Sequence, residues 1–413
     1  MDKLIIKEKI GKLDTAYLKA HLKEDTYSIE FHHDEISEIA NIPIDIFEQI
    51  ANIYYYGTLR EYLAIKGKEN LPDEVTVHLF FDNNKEEVKF IEIPADIEEI
   101  SDSCFAYCRN LISITFLNDD TKIGGYAFSN CRNLEHIKLP KNLEIINPGT
   151  FRLCEELEHI EIPNTVRSIM TWAFAECSSL ESFIIPDALE ELEDAFFGCL
   201  SLRDIDLKDK ITHLASGTFD QCESLTKVVI RSNITEIERG TFSHPRLGSP
   251  NDIEVYYYGS LQSWIYLNNK EAFDEVKTVH LFLDDEEEET TEIVYTGPIT
   301  MPDYCFANCL SLKAVYIVRG ITTIGIRAFK NCYNLEILFI PDSILEFKEE
   351  VFDWCHNMKI LFMGSEDEKE GFFKPFDIVS YDYDMLKIYS YSKDKPTKEG
   401  LYWHYVNNFP TIY

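Results

Sequence analysis

Along most of this chain, apolar residues recur at a distance far longer than any helix or strand period. Phe stands at positions 105, 128, 151, 174, 196, 219 and 242, in steps of 23 with one of 22, and again at 306, 329 and 352. Each belongs to a stretch such as Ala127-Phe128-Ser129-Asn130-Cys131 or Ala173-Phe174-Ala175-Glu176-Cys177. After the Cys comes a Leu, then two apolar residues separated by one position, then often Pro: Leu134, Ile137, Leu139, Pro140, or Leu157, Ile160, Ile162, Pro163. The last two apolar positions alternate with the period of a strand. Pro ends the strand because it lacks the N–H that a ladder requires. The Ala-Phe-x-x-Cys stretch is expected to form a short turn of helix on the opposite side.

A fixed period in the twenties marks stacked units, none large enough to bury its own apolar face. Stacking sets Leu on Leu and Phe on Phe, with strands about 4.8 Å apart in a parallel sheet. The pattern Ile-Pro-x-x-[Val/Leu]-x-x-Ile…Ala-Phe-x-x-Cys-x-x-Leu-x-x-Ile-x-Ile-Pro resembles the BspA-like leucine-rich repeat, over most of residues 91–248 and 301–363. That resemblance implies an α/β fold, a right-handed leucine-rich-repeat solenoid. Its parallel β-sheet would line the concave face, with short helical or irregular turns on the convex side. It also implies binding to other proteins or to host surfaces, although fold alone does not fix function.

A longer duplication interrupts the repeats. Ile53-Tyr54-Tyr55-Tyr56-Gly57-Thr58-Leu59 returns as Val255-Tyr256-Tyr257-Tyr258-Gly259-Ser260-Leu261, and both are followed by Thr-Val-His-Leu-Phe, at 76–80 and 278–282. Packing of a longer coil is the expected role of these aromatics, with a carbohydrate-binding cluster as the sharper alternative. The organisation expected is an N-terminal cap and degenerate first coil (1–52), a Tyr-rich module (53–90) and a repeat array (91–248). A second Tyr-rich module (249–300), a second array (301–363) and a C-terminal cap (364–413) follow. Residues 1–30, mixed at helical spacing, should cover the first edge. Pro396 and Gly400 should turn a hairpin between 386–392 and 401–405.

Charge narrows the partners. With 73 acidic against 39 basic residues the formal charge is −34, which argues against nucleic acid and against an anionic membrane surface. No apolar run is long enough to insert in a bilayer. The start, Met1-Asp2-Lys3-Leu4-Ile5-Ile6-Lys7, is not a signal peptide. The sequence as it stands reads as cytoplasmic, or as surface or secreted if a leader has been removed.

Eleven cysteines raise metal and disulfide chemistry, but nine (108, 131, 154, 177, 199, 222, 309, 332 and 355) share one repeat position. No Cys-x-x-Cys pair exists, so the column reads as small buried hydrophobes. His136 and His159 fall in one row with Ser182 after them and no third ligand, which makes them surface imidazoles. The acidic run 284–289 lacks the spacing of a calcium loop. No phosphate loop, dinucleotide fingerprint or Gly-x-Ser-x-Gly elbow is present. No cofactor or metal is therefore expected. The leading reading is a non-enzymatic protein–protein interaction scaffold. An adhesin-like surface protein is the alternative, and an enzyme on a repeat frame a remote one.

Strand register also supplies a candidate surface. The residue between the two inward strand positions points out of the sheet. In the first array that column is Thr115, Lys138, Glu161, Ile184, Asp206, Val229, and in the last it is Tyr316, Phe339, Phe362, flanked by Ala314, Ile337 and Ile360. Tyr316, Phe339, Phe362, Ile337 and Ile360 are the candidate partner-binding surface. The alternative is that the chain covers them with Phe372, Phe373 and Phe376.

Overall fold

The computed structural model describes residues 2–32, 35–43, 45, 50–82, 84–243, 252–284, 286–363, 387–391, 402–406 and 409–412. The chain divides into two compact units, Met1–Leu225 with Ser243–Pro245, and Thr226–Phe242 with Arg246–Tyr413. Each is a solenoid of parallel coils.

In the first unit, strands Asp2–Ile5, Thr26–His32, Asn52–Gly57 and Thr76–Phe81 pair side by side, all parallel. Phe90–Ile93, Ser113–Phe116 and His136–Lys138 form a second parallel sheet. A shorter strand follows in each coil: Glu99–Ile100 pairs with Lys122–Ile123, and Ile145–Ile146, Ser168–Ile169 and Glu191–Leu192 pair in order. Residues 1–30 differ from the helical cap expected of them. They supply an edge strand at Asp2–Ile5 and a second strand, Gly11–Leu13, paired with Ile36–Ile39; only Thr15–His21 is helical. Ile6, Leu13 and Leu18 enter the same interior as Ile29, which is why the segment winds as a coil.

In the second unit, Lys227–Arg231, Glu254–Gly259 and Thr278–Leu283 are parallel neighbours. A longer sheet runs Glu292–Tyr295, Ala314–Ile317, Ile337–Ile340, Ile360–Met363, Lys387–Tyr391, Tyr402–Val406, Phe409–Ile412. Pro396 and Gly400, expected to turn a hairpin, lie outside the described residues; the strands on either side, Lys387–Tyr391 and Tyr402–Val406, pair in parallel and not as the two arms of a hairpin. The antiparallel turn comes one strand later, between Tyr402–Val406 and Phe409–Ile412. Lys387–Tyr391 continues the row of coils, pairing in parallel with Ile360–Met363.

The Phe column forms the interior. Rings of Phe105, Phe128, Phe151, Phe174, Phe196 and Phe219 stack successively at 5.3–5.9 Å between centroids, and Phe306, Phe329 and Phe352 at 5.7–5.8 Å. Each buried side chain contributes about 1.5–3 kcal/mol, shared between neighbouring coils. All eleven cysteines are buried free thiols. They do more than fill space. Cys131 Sγ donates to the Phe105 carbonyl of the preceding coil at 3.1 Å, Cys177 to Phe151 at 3.1 Å, and Cys332 to Phe306 at 3.0 Å. Burial pushes the thiols of Cys177, Cys222 and Cys355 up to about 12.

The Ala-Phe-x-x-Cys stretches are hydrogen-bonded turns and not the helical turns expected. The residue before each Cys is left-handed, at φ 62° for Asn130, 60° for Leu153 and 60° for Glu176, and so is the residue two before many of the Phe, at 55° for Tyr126 and 58° for Trp172. Such a residue breaks a right-handed helix. It also turns the N–H groups toward the next coil, so that Phe128 donates to Thr150 and Asn130 to Arg152.

Among the described residues, helices occur in the non-standard coils. Thr58 and Glu61 make a capping box for Leu59–Ala64, and Ser260 and Ser263 one for Leu261–Tyr266. Past each helix a buried lysine satisfies carbonyls that the helix end leaves open. Lys68 Nζ donates to Tyr62 and Ile65, and Lys270 Nζ to Ile265 at 3.0 Å and Leu267 at 2.6 Å.

Phe174→Ala should destabilise the array by about 3–5 kcal/mol in urea melts, since it empties a rung of the ring column. Glu176→Gly should stabilise by up to about 1 kcal/mol, because glycine relieves the left-handed backbone. Loss of stability with glycine would contradict the turn geometry.

Folded protein should react with few of its eleven thiol equivalents, and denatured protein with all of them. Unfolded thiols ionise near pH ~8.5 while the folded ones keep their protons, so the native state binds more protons above that pH. Stability should be intact below pH ~8.5 and fall as pH rises toward the folded values, by up to about 1.4 kcal/mol per pH unit for each thiol. A urea midpoint unchanged between pH 8 and pH 10 would overturn this.

Candidate functional site

Register in the second unit places Ala314, Ile337 and Ile360 in one row, and Tyr316, Phe339, Phe362 and Tyr389 in another. Between them Val315, Leu338 and Leu361 are fully buried and face the solenoid interior, so alternation turns the aromatic row outward. Val294 begins that row, opposite Tyr316. Exposure falls along it, from 51% at Val294 through half-buried Tyr316 to 5% at Phe339, 5% at Phe362 and 6% at Tyr389. Phe339 and Phe362 lie 6.5 Å apart, Phe362 and Tyr389 5.5 Å, with tilted rings. Burial, helped by Glu292, pushes the Tyr316 hydroxyl up.

The row is thus a second hydrophobic cluster, with Ile337 and Tyr316 packed against it. It is closed over its central residues and accessible at the Val294 end. Ile360 pairs with Ile337 and Lys387, and its side chain lies outside the described residues. So do Phe372, Phe373 and Phe376. Tyr389 was not singled out from the sequence. It is 27 residues beyond Phe362, off the repeat spacing, and only the Leu361–Ile388 ladder pairing brings it into line.

The two Tyr-rich modules divide their aromatics in the same way. Tyr55 and Tyr257 are buried inward, at 1% and 0% exposure. Their neighbours stand on the outer sheet face in stacks. Tyr54 lies between Lys3 Nζ, 4.3 Å from its centroid, and His78 at 4.6 Å; Tyr56 lies between His32 at 4.9 Å and Phe80 at 4.7 Å. Tyr256 lies between Lys227 Nζ at 4.8 Å and His280 at 4.5 Å, and Tyr258 between Arg231 at 5.8 Å and Phe282 at 4.6 Å. Both faces of all four rings are occupied, so none is left for a sugar to stack on. His78 is held 2.8 Å from both Glu87 Oε1 and Asn52 Oδ1. Burial pushes the Glu87 carboxyl up, but bonds from His78 and Asn110 outweigh it and hold the group low. His280 repeats the contact with Glu289 at 2.8 Å.

His136 and His159 are exposed on the first unit's sheet face, and His159 Nδ1 is 3.3 Å from Ser182 Oγ. Among the described residues no group of three or more His, Cys, Asp or Glu is placed to hold a metal.

The repeated coils and their inward columns match a family model. The BspA type leucine rich repeat region matches in six copies, over residues 78–197, 144–254 and 288–380. The chain belongs to the BspA-type leucine-rich repeat family. Two solved structures similar to this BspA-type chain are a leucine-rich repeat protein from Bacteroides ovatus and a leucine rich cell surface protein from Faecalibacterium prausnitzii. The first is 19% identical, with TM-score 0.39, over 73% of this chain and 91% of that one. The second is 17% identical, with TM-score 0.34, over 92% of this chain and 91% of that one. No curated protein matches it. Among the described residues no helix is long and apolar enough to cross a membrane.

In this BspA-type frame Phe329 and Phe339 belong to different clusters, and they should fail differently. Phe329→Ser should destabilise the repeat array globally, by about 3–5 kcal/mol or more. Phe339→Ser should leave the array folded and speed amide exchange in Lys387–Tyr391. A global melt of equal size from Phe339→Ser would place its ring in the solenoid interior.

Proposed function

We propose that this BspA-type repeat protein is a non-enzymatic scaffold that binds another protein through its sheet face. The observation that carries this reading is the outward aromatic row of the second unit, a hydrophobic cluster apart from the solenoid interior. Of the candidate residues Tyr316, Ile337, Phe339, Ile360 and Phe362, Tyr316 together with Val294 is the accessible end that a partner meets, and the buried rings of Phe339 and Phe362 back it. Apolar sheet surface of this kind is characteristic of protein contacts. The net charge of −34 argues against nucleic acid as the partner.

The test is affinity capture on immobilised full-length protein, comparing it with the double variant Val294→Ser, Tyr316→Ser. Proteins retained by the parent and lost with the variant, at unchanged melting temperature, support the surface. Identical retention by both removes it. Turnover of a substrate abolished by a point change on the sheet face would replace the scaffold reading with an enzymatic one.

A further inference from the structure

The accessible end of the outward aromatic row has a charged border, and the internal duplication shows that border to be particular to the second unit. The segment leading into the row, residues 286–292, carries Glu286, Glu287, Glu288, Glu289 and Glu292 and no basic residue. Its counterpart in the first unit is fixed by the contact of Glu87 with His78, which Glu289 repeats with His280. There Glu86 and Glu87 are set against Lys85 and Lys89, Asn84 stands for Glu286, and Phe90 stands for Glu292. The backbones are alike. Each segment follows a left-handed aspartate, Asp82 or Asp284, and Val88 N–H donates to the Leu79 carbonyl as Thr290 N–H does to that of Leu281. One backbone thus carries two charge patterns.

Most of the second pattern is uncommitted. Glu289 is held by His280 at 2.8 Å. Glu286, Glu287, Glu288 and Glu292 are exposed, and their side chains make no hydrogen bond or ion pair among the described residues. On the next coils Arg319 is paired with Asp342 at 3.2 Å and Glu336 with Lys359 at 3.0 Å. Lys313, just before Ala314, is the basic residue left unpaired beside the row among the described residues.

These carboxylates adjoin the apolar patch. The ladder sets Glu292 beside Ala314 and Val294 beside Tyr316. Ile293 is buried between them, so Glu292 and Val294 stand on one face. Two strand residues separate them by about 7 Å, inside the ~10 Å over which a charge acts in 0.1 M salt. An exposed apolar patch bordered by charges of one sign selects a partner of the opposite sign.

We propose that the Val294–Tyr316 end docks a cationic segment of a partner protein, in which an apolar anchor is flanked by Lys or Arg. The anchor covers Val294 and Tyr316, backed by the buried rings of Phe339 and Phe362. The flanking cations meet Glu292 and the carboxylates of 286–288. The inference rests on the scaffold reading and names the partner's chemistry at that same surface.

The probe is a fluorescein-labelled octapeptide with Leu-Phe at its centre and Lys on both sides, titrated into the full chain by anisotropy. Its counterparts carry Glu in place of Lys, or Ser-Ser in place of Leu-Phe; the second controls for attraction by the chain's overall charge. The Lys-flanked Leu-Phe peptide should bind at least about tenfold more tightly than either. Its affinity should fall at least about tenfold between ~50 mM and ~500 mM salt. Glu286→Asn with Glu287→Lys installs residues that the first unit already carries on the same backbone. That variant should weaken binding about tenfold at low salt with an unchanged melt. Val294→Ser with Tyr316→Ser should remove the preference for Leu-Phe over Ser-Ser. Displacement of the peptide by calcium, but not by potassium at equal ionic strength, would mark a simple cation site and overturn the proposal. Equal affinity for Lys and Glu flanks, lost with Val294→Ser and Tyr316→Ser, would refute the cationic partner and leave the apolar surface standing. Binding of the Lys peptide that ignores both apolar substitutions would refute the two together.

Discussion

A coil of about two dozen residues has no interior of its own, and every other feature of this protein follows from that. The Phe rings find their apolar surroundings in the coil before and the coil after, at about the spacing of the strands. The thiol of one coil donates to the carbonyl of the preceding one. Left-handed residues at fixed places present their amides to the next turn. Contacts thus run almost wholly along the stack, and few side chains on the outer sheet face are needed to hold it. Those side chains are free to differ, and there the two units acquire different surfaces.

The surfaces arise from modest departures within the repeat. In the second unit, aromatic residues at three successive outward positions, joined by Tyr389, build a cluster on the far side of the sheet. In the first, the outward column is mixed, with Thr115, Lys138, Glu161 and Ile184 on successive coils. The Tyr-rich modules show a third outcome, in which cations and rings cover every tyrosine face and the surface completes itself. Lys3 reaches Tyr54 from the edge strand, two strands away, whereas Lys227 reaches Tyr256 from the adjacent one. The same sandwich is assembled from different positions, which points to the geometry rather than to ancestry of the individual lysines.

Much of this was legible in the sequence because burial and period coincide. Phe174, Cys177 and Leu180 announce their inward positions by recurring, and alternation around Leu338 turns Phe339 to the other face. Position-dependent facts were less visible. That Cys177 donates a hydrogen bond, or that Glu176 is left-handed, depends on backbone direction and not on residue type. Pro396 and Gly400 suggested a hairpin, but Lys387–Tyr391 pairs in parallel with Ile360–Met363 on one side and Tyr402–Val406 on the other. Strict alternation applied to Tyr54-Tyr55-Tyr56 would have separated the buried ring from the exposed pair; reading the three together as packing obscured it.

The ring column has one further consequence, for how such a chain can change length. Phe128 and Phe151 offer their neighbours nearly interchangeable environments, with ring separations that differ by a few tenths of an ångström along the first unit. Excising residues 128–150 as a block would set Phe151 directly on Phe105, with its turn, thiol and strand in register. Gain or loss of a whole coil is therefore a milder perturbation than many single substitutions inside one, whereas loss of a partial coil would put every later side chain out of phase. Repeat number can drift while the coil itself stays fixed, and each added coil brings new outward positions on which selection can act without touching the interior.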